Sequence, residues 1–302
     1  MPQLLEAGTT RVYFRHQEDK AMPRGVMSEE KIQRWIKEGR GSGAGPTYKP
    51  WLTTDDIPAT SRRTRVPSAK FGRVIHVLSD IEHRVFLLAE YFPSVVEAKE
   101  QWPIDRELTQ RVARKLGIRH PCYPYTHIPA VVTVDLLLTI QRGGVLKTVG
   151  IDSKPRTALN KGEVLAKLQL TKASLAELGY DHLIVSESQL NRTVTNNLIW
   201  IRQAHSVEKE VTPSPTFYEE AADRLYQHLL SKRFSASSLS RVCQEFEEHA
   251  GWAPGTALRA ARILLEAHRL HVDLRLPNIP DRALREFSFG VDEGSSRQVA
   301  AL

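Results

Sequence analysis

The chain has 302 residues, 41% of them apolar and 25% charged, with a formal net charge of +7. That composition suits a globular protein of two modest domains and favours polyanionic partners. No run of about 18 apolar residues occurs and the N-terminus has no signal-peptide core, so neither a transmembrane helix nor a membrane partner is expected. The two cysteines, Cys122 and Cys243, stand far apart without metal-ligand spacing. This argues against a structural disulfide or zinc site and fits a reducing, cytoplasmic setting.

Residues 1–26 read as an N-terminal extension with poor apolar periodicity. Ser28 then caps a helix carrying Glu29 and Glu30 in its first turn and Ile32, Trp35 and Ile36 on one face. Four glycines between Gly39 and Gly45 point either to backbone lying close to a ligand such as phosphate or to a plain linker. Trp51 is expected to anchor the segment that follows. Residues 53–73 read as a basic loop. Arg62, Arg63, Arg65, Lys70 and Arg73 place five cations between 61 and 73 with no acid among them, a candidate contact to the DNA backbone or simply a solvated surface.

A helix begins at Ser79-Asp80-Ile81-Glu82, with Val85, Phe86, Leu87, Leu88 and Tyr91 as its apolar face. Taken locally, Glu82 is explained by the helix dipole, which favours an acid in the first turn. A strand is expected over Val95 to Gln101 and a helix over 105–117, ended by Gly117. The run V-V-T-V-D-L-L-L-T-I (131–140), the turn Gln141-Arg142-Gly143-Gly144 and the run V-L-K-T-V-G-I-D-S-K (145–154) make a β-hairpin. A helix over Lys161 to Leu178 follows, using Val164, Leu165, Leu168, Leu175 and Leu178. His182 to Val185 then form a short buried strand. A helix over Leu190 to Ala204 leads to a Pro-rich break at 211–215. Three helices follow, near 217–232, 237–249 and 254–268, the last carrying Arg259 and Arg262. A β-like stretch runs from Leu270 to Leu276.

The expected architecture is an α/β mixed-sheet core over 27–187, a helix and linker over 188–213 and a winged-helix-like α-helical domain over 214–288. Residues 289–302 form a polar tail expected to be disordered.

The hairpin carries the chemistry. Asp135 is a lone carboxylate in an apolar strand, costly to bury without a partner. Closure at Gly143-Gly144 sets it opposite Asp152, and period-two alternation puts Asp152 and Lys154 on one face. Two carboxylates and a lysine at one strand end make a site for a hard cation with a base beside it.

This D…D-x-K pattern resembles the restriction-endonuclease-like nucleases. Longer stretches resemble a narrower family. They are I-K-E-G-R-G-S-G-A-G-P-T-Y-K-P-W-L-T (36–53), G-R-V-I-H-V-L-S-D-I-E (72–82), V-F-L-L-A-E-Y (85–91), E-Q-W-P (100–103), I-R-H-P (118–121), T-V-D (133–135) and S-K-P (153–155). Together they are similar to TnsA, the endonuclease subunit of heteromeric cut-and-paste transposases. The likeness covers about 27–205 and fades beyond, where only the order of helices agrees.

The resemblance implies a bacterial, metal-dependent DNA endonuclease that cleaves the 5′ strands at transposon ends. It implies catalytic Glu82, Asp135 and Lys154, and Mg2+, with Mn2+ able to substitute, held by Glu82, Asp135 and Asp152. Its implied partners are transposon-end DNA, an integrase-type transposase, TnsB, and an ATPase regulator, TnsC. The competing readings are a stand-alone restriction or repair nuclease of the same fold, and a non-catalytic DNA-binding or scaffold protein.

Overall fold

The computed structural model describes residues 27–56, 62–205 and 212–290. The expected extension over 1–26, Ser61 of the basic run, Val211 of the linker and residues 291–302 of the tail lie outside the described residues.

The first helix, α1 (Glu29–Lys37), starts where the Ser28 hydroxyl accepts the Lys31 N–H at 3.2 Å. It buries Ile32 and Trp35 against Trp51, whose ring meets Trp35 edge-on at 5.4 Å. The glycine-rich segment after it is neither a bare linker nor an open cradle. Gly41 N donates to Lys49 O at 2.6 Å and Lys49 N to Ser42 O at 3.0 Å, closing a tight loop. A Cβ on Gly41 would stand 2.2 Å from the Pro103 ring, at a φ of +78°. Glycine is required there because the backbone presses on the end of a strand.

The basic segment expected as a loop is instead a two-stranded antiparallel hairpin, β1 (Thr64–Ser68) and β2 (Arg73–Val77). Val66, Ile75 and Val77 alternate inward and are buried, so the strand pattern was present beneath the cations. Next come α2 (Asp80–Tyr91), β3 (Val95–Pro103) and α3 (Arg106–Leu116). The central hairpin is β4 (Thr133–Arg142) and β5 (Val145–Ser153), followed by α4 (Gly162–Glu177) and β6 (Asp181–Val185).

The main sheet has the order β3-β4-β5-β6, with β6 parallel to β5 and the other pairs antiparallel. Gly143 and Gly144 both have positive φ, +55° and +80°, as a tight two-residue hairpin turn demands. The register pairs Leu136 with Ile151 and Arg142 with Val145, which carries Asp135 opposite Asp152 as expected.

Two expectations need correction. The buried face of α4 is Leu168, Leu170, Thr171, Ser174 and Leu175, while Leu165 and Leu178 are exposed. The helix packs on α3 and β6, and that contact turns the stripe away from the purely apolar positions. Strand β6 is not buried, since Leu183 is 44% exposed. It is the edge of the sheet, with one neighbour among the described residues.

Helix α5 (Arg192–Arg202) falls in the stretch expected as helix and linker. It lies between α2 and the C-terminal helices rather than spacing them apart. Asn197 Nδ2 donates to the carbonyls of Leu274 and Leu276, each at 2.8 Å, and Arg202 pairs with Glu90 at 2.8 Å. Beyond it come α6 (Phe217–Ser231), α7 (Leu239–Ala250) and α8 (Thr256–Glu266). The pair β7 (Leu270–His271) and β8 (Ser288–Phe289) closes the described chain. Only two residues of the expected Leu270–Leu276 strand pair, because the chain leaves the ladder after His271. Buried Leu, Ala and Val side chains form one continuous core from β2 and α2 through α5 to α8.

Candidate active site

Four elements bring their ends together. The first turn of α2 supplies Glu82. Ser79 caps the helix, its hydroxyl accepting the Glu82 N–H at 3.2 Å and donating back to Glu82 Oε1 at 2.9 Å. Leu78 N donates to Oε2 at 2.9 Å. These bonds fold the carboxylate over the helix start, where it is only 9% exposed.

Strand β4 supplies Asp135, whose Oδ2 accepts from Ser153 N and from Lys154 Nζ, each at 2.7 Å. Lys154 leaves the end of β5, where its N–H donates to Val185 O at 3.0 Å and extends the parallel ladder. Strand β3 supplies Gln101, whose Nε2 lies 3.4 Å from Glu82 Oε2 and whose Oε1 accepts from the Thr133 hydroxyl at 3.2 Å.

The electrostatics follow from burial and crowding. Loss of water and then the nearby Asp135 charge push Glu82 up to about 7. Burial alone would drive the Lys154 ammonium down. Asp135, Asp152 and Glu82 together outweigh it and hold its pKa above the ordinary value, so Lys154 stays a cation. Asp152 stands across from Asp135, but its Oδ2 meets His182 Nε2 at 2.9 Å in an almost fully buried pair between β5 and β6. Among the described residues no three His, Cys, Asp or Glu side chains converge as metal ligands. The pair that does crowd together is Glu82 and Asp135.

The five cations of the basic run are dispersed. Arg62 and Arg65 are exposed, beside Asp80 at 3.9 Å and beside Asp55 respectively, and Arg63 donates to Thr54 O. Lys70 remains exposed, but its ammonium donates to the carbonyls of Ala89, Glu90 and Phe92 at the end of α2. Arg73 is 7% exposed and pairs with Glu100, 1% exposed, at 2.7 Å. On α8, the Arg259 guanidinium lies over Tyr218 at 3.8 Å and that of Arg262 over Trp200 at 4.8 Å. Arg259 also donates to Ala204 O at 2.8 Å, so both guanidiniums are packed against neighbouring helices. Gln101 and His182 were missed from sequence. Gln101 lies inside the E-Q-W-P stretch (100–103) but nothing there singles it out, no motif marks His182, and the partners of both lie on other elements.

A family profile described as TnsA endonuclease C terminal matches residues 189–274. Transposon Tn7 transposition protein TnsA of Escherichia coli is 33% identical over 225 residues, 73% of this chain and 77% of that relative. The chain belongs to the TnsA family. Its role is therefore that of an endonuclease in transposition. The TnsA likeness also reaches further than the motifs suggested, because the profile runs on from α5 over α6 to α8, where only helix order had agreed. Among the described residues no helix is long and apolar enough to cross a membrane.

Proposed function

We propose that this TnsA-family chain hydrolyses a DNA phosphodiester on the 5′ strand at each transposon end, using Glu82, Asp135 and Lys154 on a restriction-endonuclease-like core. The observation that carries this reading is the crowding of two carboxylates against one retained cation at the joint end of β4 and β5. A hard divalent ion suits that donor set. Mg2+ commonly takes one or two carboxylates and keeps its remaining positions for water and phosphate. Glu82 and Asp135 would hold Mg2+, or Mn2+ in its place, and the ion would supply Lewis-acid stabilisation of phosphate charge and acidify water. Burial, and after it the Asp135 charge, raise the pKa of Glu82, and a bound cation would offset both.

The chain's own residues divide the remaining work. Lys154, kept protonated, donates toward phosphate oxygen and balances charge rather than taking a proton. Ser153 N–H and the Lys154 ammonium fix the Asp135 carboxylate. Asp152 stays out of the donor pair while its bond to His182 lasts, and contributes its charge to keeping Lys154 protonated. Arg62 stands beside the first turn of α2, two residues from Glu82 through Asp80. With Arg65 it offers a backbone contact next to the cutting site.

The order α2-β3-β4-β5-α4-β6, with a parallel last strand reached through a helix, supports the restriction-endonuclease-like reading. The three helices followed by a short antiparallel pair support the winged-helix-like one. Because Arg259 and Arg262 of α8 are packed inward, that half fits contact with the ATPase regulator TnsC better than reading of DNA. The integrase-type transposase TnsB would cut the 3′ strands.

The test is a reconstituted excision reaction. Asp135→Ala and Lys154→Ala should each abolish 5′-strand nicking while the chain still co-purifies with its partners. Full cleavage by either variant removes the mechanism.

A further inference from the structure

The register of β3 against β4 pairs Glu100 with Leu136 and Trp102 with Val134. The residue between, Gln101, therefore stands opposite Asp135, but it does not take its place in the ladder. Its φ is +46°, a left-handed conformation that a residue with a side chain seldom adopts within a strand. Its carbonyl leaves the sheet to accept from Trp51 N at 3.2 Å. Two successive residues, Glu100 and Gln101, are both buried. Glu100 goes to Arg73 and Gln101 goes to Glu82.

Backbone strain of this kind persists only where the surroundings impose it, and it gathers at functional sites. The surroundings here are specific. Thr133, two residues before Asp135, donates its hydroxyl to Gln101 Oε1, which orients the amide so that its NH2 faces Glu82. Among the described residues, Leu78 and Ser79, beside its own helix start, also donate to the Glu82 carboxylate. Gln101 is thus the hydrogen-bonded link from the carboxylate on α2 to the strands that carry Asp135.

We propose that Gln101 is a positioning residue of the cutting site, its left-handed backbone and Thr133-oriented amide setting the Glu82 carboxylate against Asp135. The proposal rests on the reading of those two carboxylates as the metal-holding pair. An amide suits the task better than an acid, which would add a third negative charge, or than a lysine, which would compete with the ion.

The experiment uses the full-length protein and two variants that a left-handed backbone tolerates, Gln101→Gly and Gln101→Asn. The first removes the amide, and the second withdraws it by one methylene. Both should keep the wild-type circular dichroism spectrum and cooperative unfolding. Calorimetric titration with Mn2+ should show binding on the order of tenfold weaker than wild type, as when an outer-sphere partner is removed. Wild-type affinity in both folded variants overturns the proposal.

If the wild-type protein itself takes up no Mn2+, the metal reading fails separately. The crystal structure of the Gln101→Gly variant then decides the positioning claim. A Glu82 carboxylate swung away from Asp135 upholds it, and an unmoved one overturns it.

Discussion

Replacing Glu82 by glutamine probes the crowding at the site through stability rather than activity. In the metal-free folded protein Glu82 keeps its proton up to about pH 7, against 4.5 as its ordinary value. Between those limits the folded state binds more protons than the unfolded chain, so stability falls as pH rises. The contribution is fully present below pH 4.5 and is lost as pH passes 7. At about 1.36 kcal/mol per pKa unit, the gap amounts to about 3 kcal/mol. Glutamine does not ionise and cannot show this loss.

The assay is urea unfolding of both proteins in chelator from pH 4.5 to 8.5. The stability of wild type minus that of Glu82→Gln should fall by about 3 kcal/mol across the range. Titrations common to both proteins, including that of buried Glu100, cancel in the difference. Adding Mg2+ at pH 8 should restore the wild type and leave the variant unchanged. A difference independent of pH would refute the argument that burial and Asp135 act on Glu82.

Arg73→Ala leaves the Glu100 carboxylate buried without its partner and should cost about 3–5 kcal/mol in a denaturation experiment; a fully stable variant would contradict the structural role of the pair. Reversing Arg62 and Arg65 to Glu should weaken binding to DNA of any sequence and lower the salt slope by roughly one unit for each phosphate no longer neutralised. An unchanged slope would take these residues out of the interface. Gly41→Ala should destabilise by about 1–3 kcal/mol, because the new methyl meets the Pro103 ring at a φ that disfavours any side chain. Wild-type thermal stability in that variant would restore the view of the glycine segment as a linker.

Legibility differed from element to element for physical reasons. The β4–β5 hairpin could be read because alternation, a Gly-Gly turn and a tight register are all local properties. The hairpin β1–β2 was hidden because its exposed positions are cationic, and composition there masks an ordinary inward alternation of Val66, Ile75 and Val77. Lys70 and Arg73 looked like their neighbours in the run. Which cations are held by partners within the fold depends on where the end of α2 and Glu100 come to lie.

By itself, then, the sequence determined the order of the helices and of the main-sheet strands, the register of the central hairpin and the resemblance that led to the TnsA family. These rest on interactions among near neighbours along the chain. Tertiary structure alone decided how the four acidic and basic groups divide. Asp152 is drawn to His182, 30 residues away, and Asp135 to Lys154. It also decided that Glu82 is more than a capping residue. Its pKa rises only when the surrounding elements exclude water and bring a second carboxylate near it, with the Gln101 amide beside it.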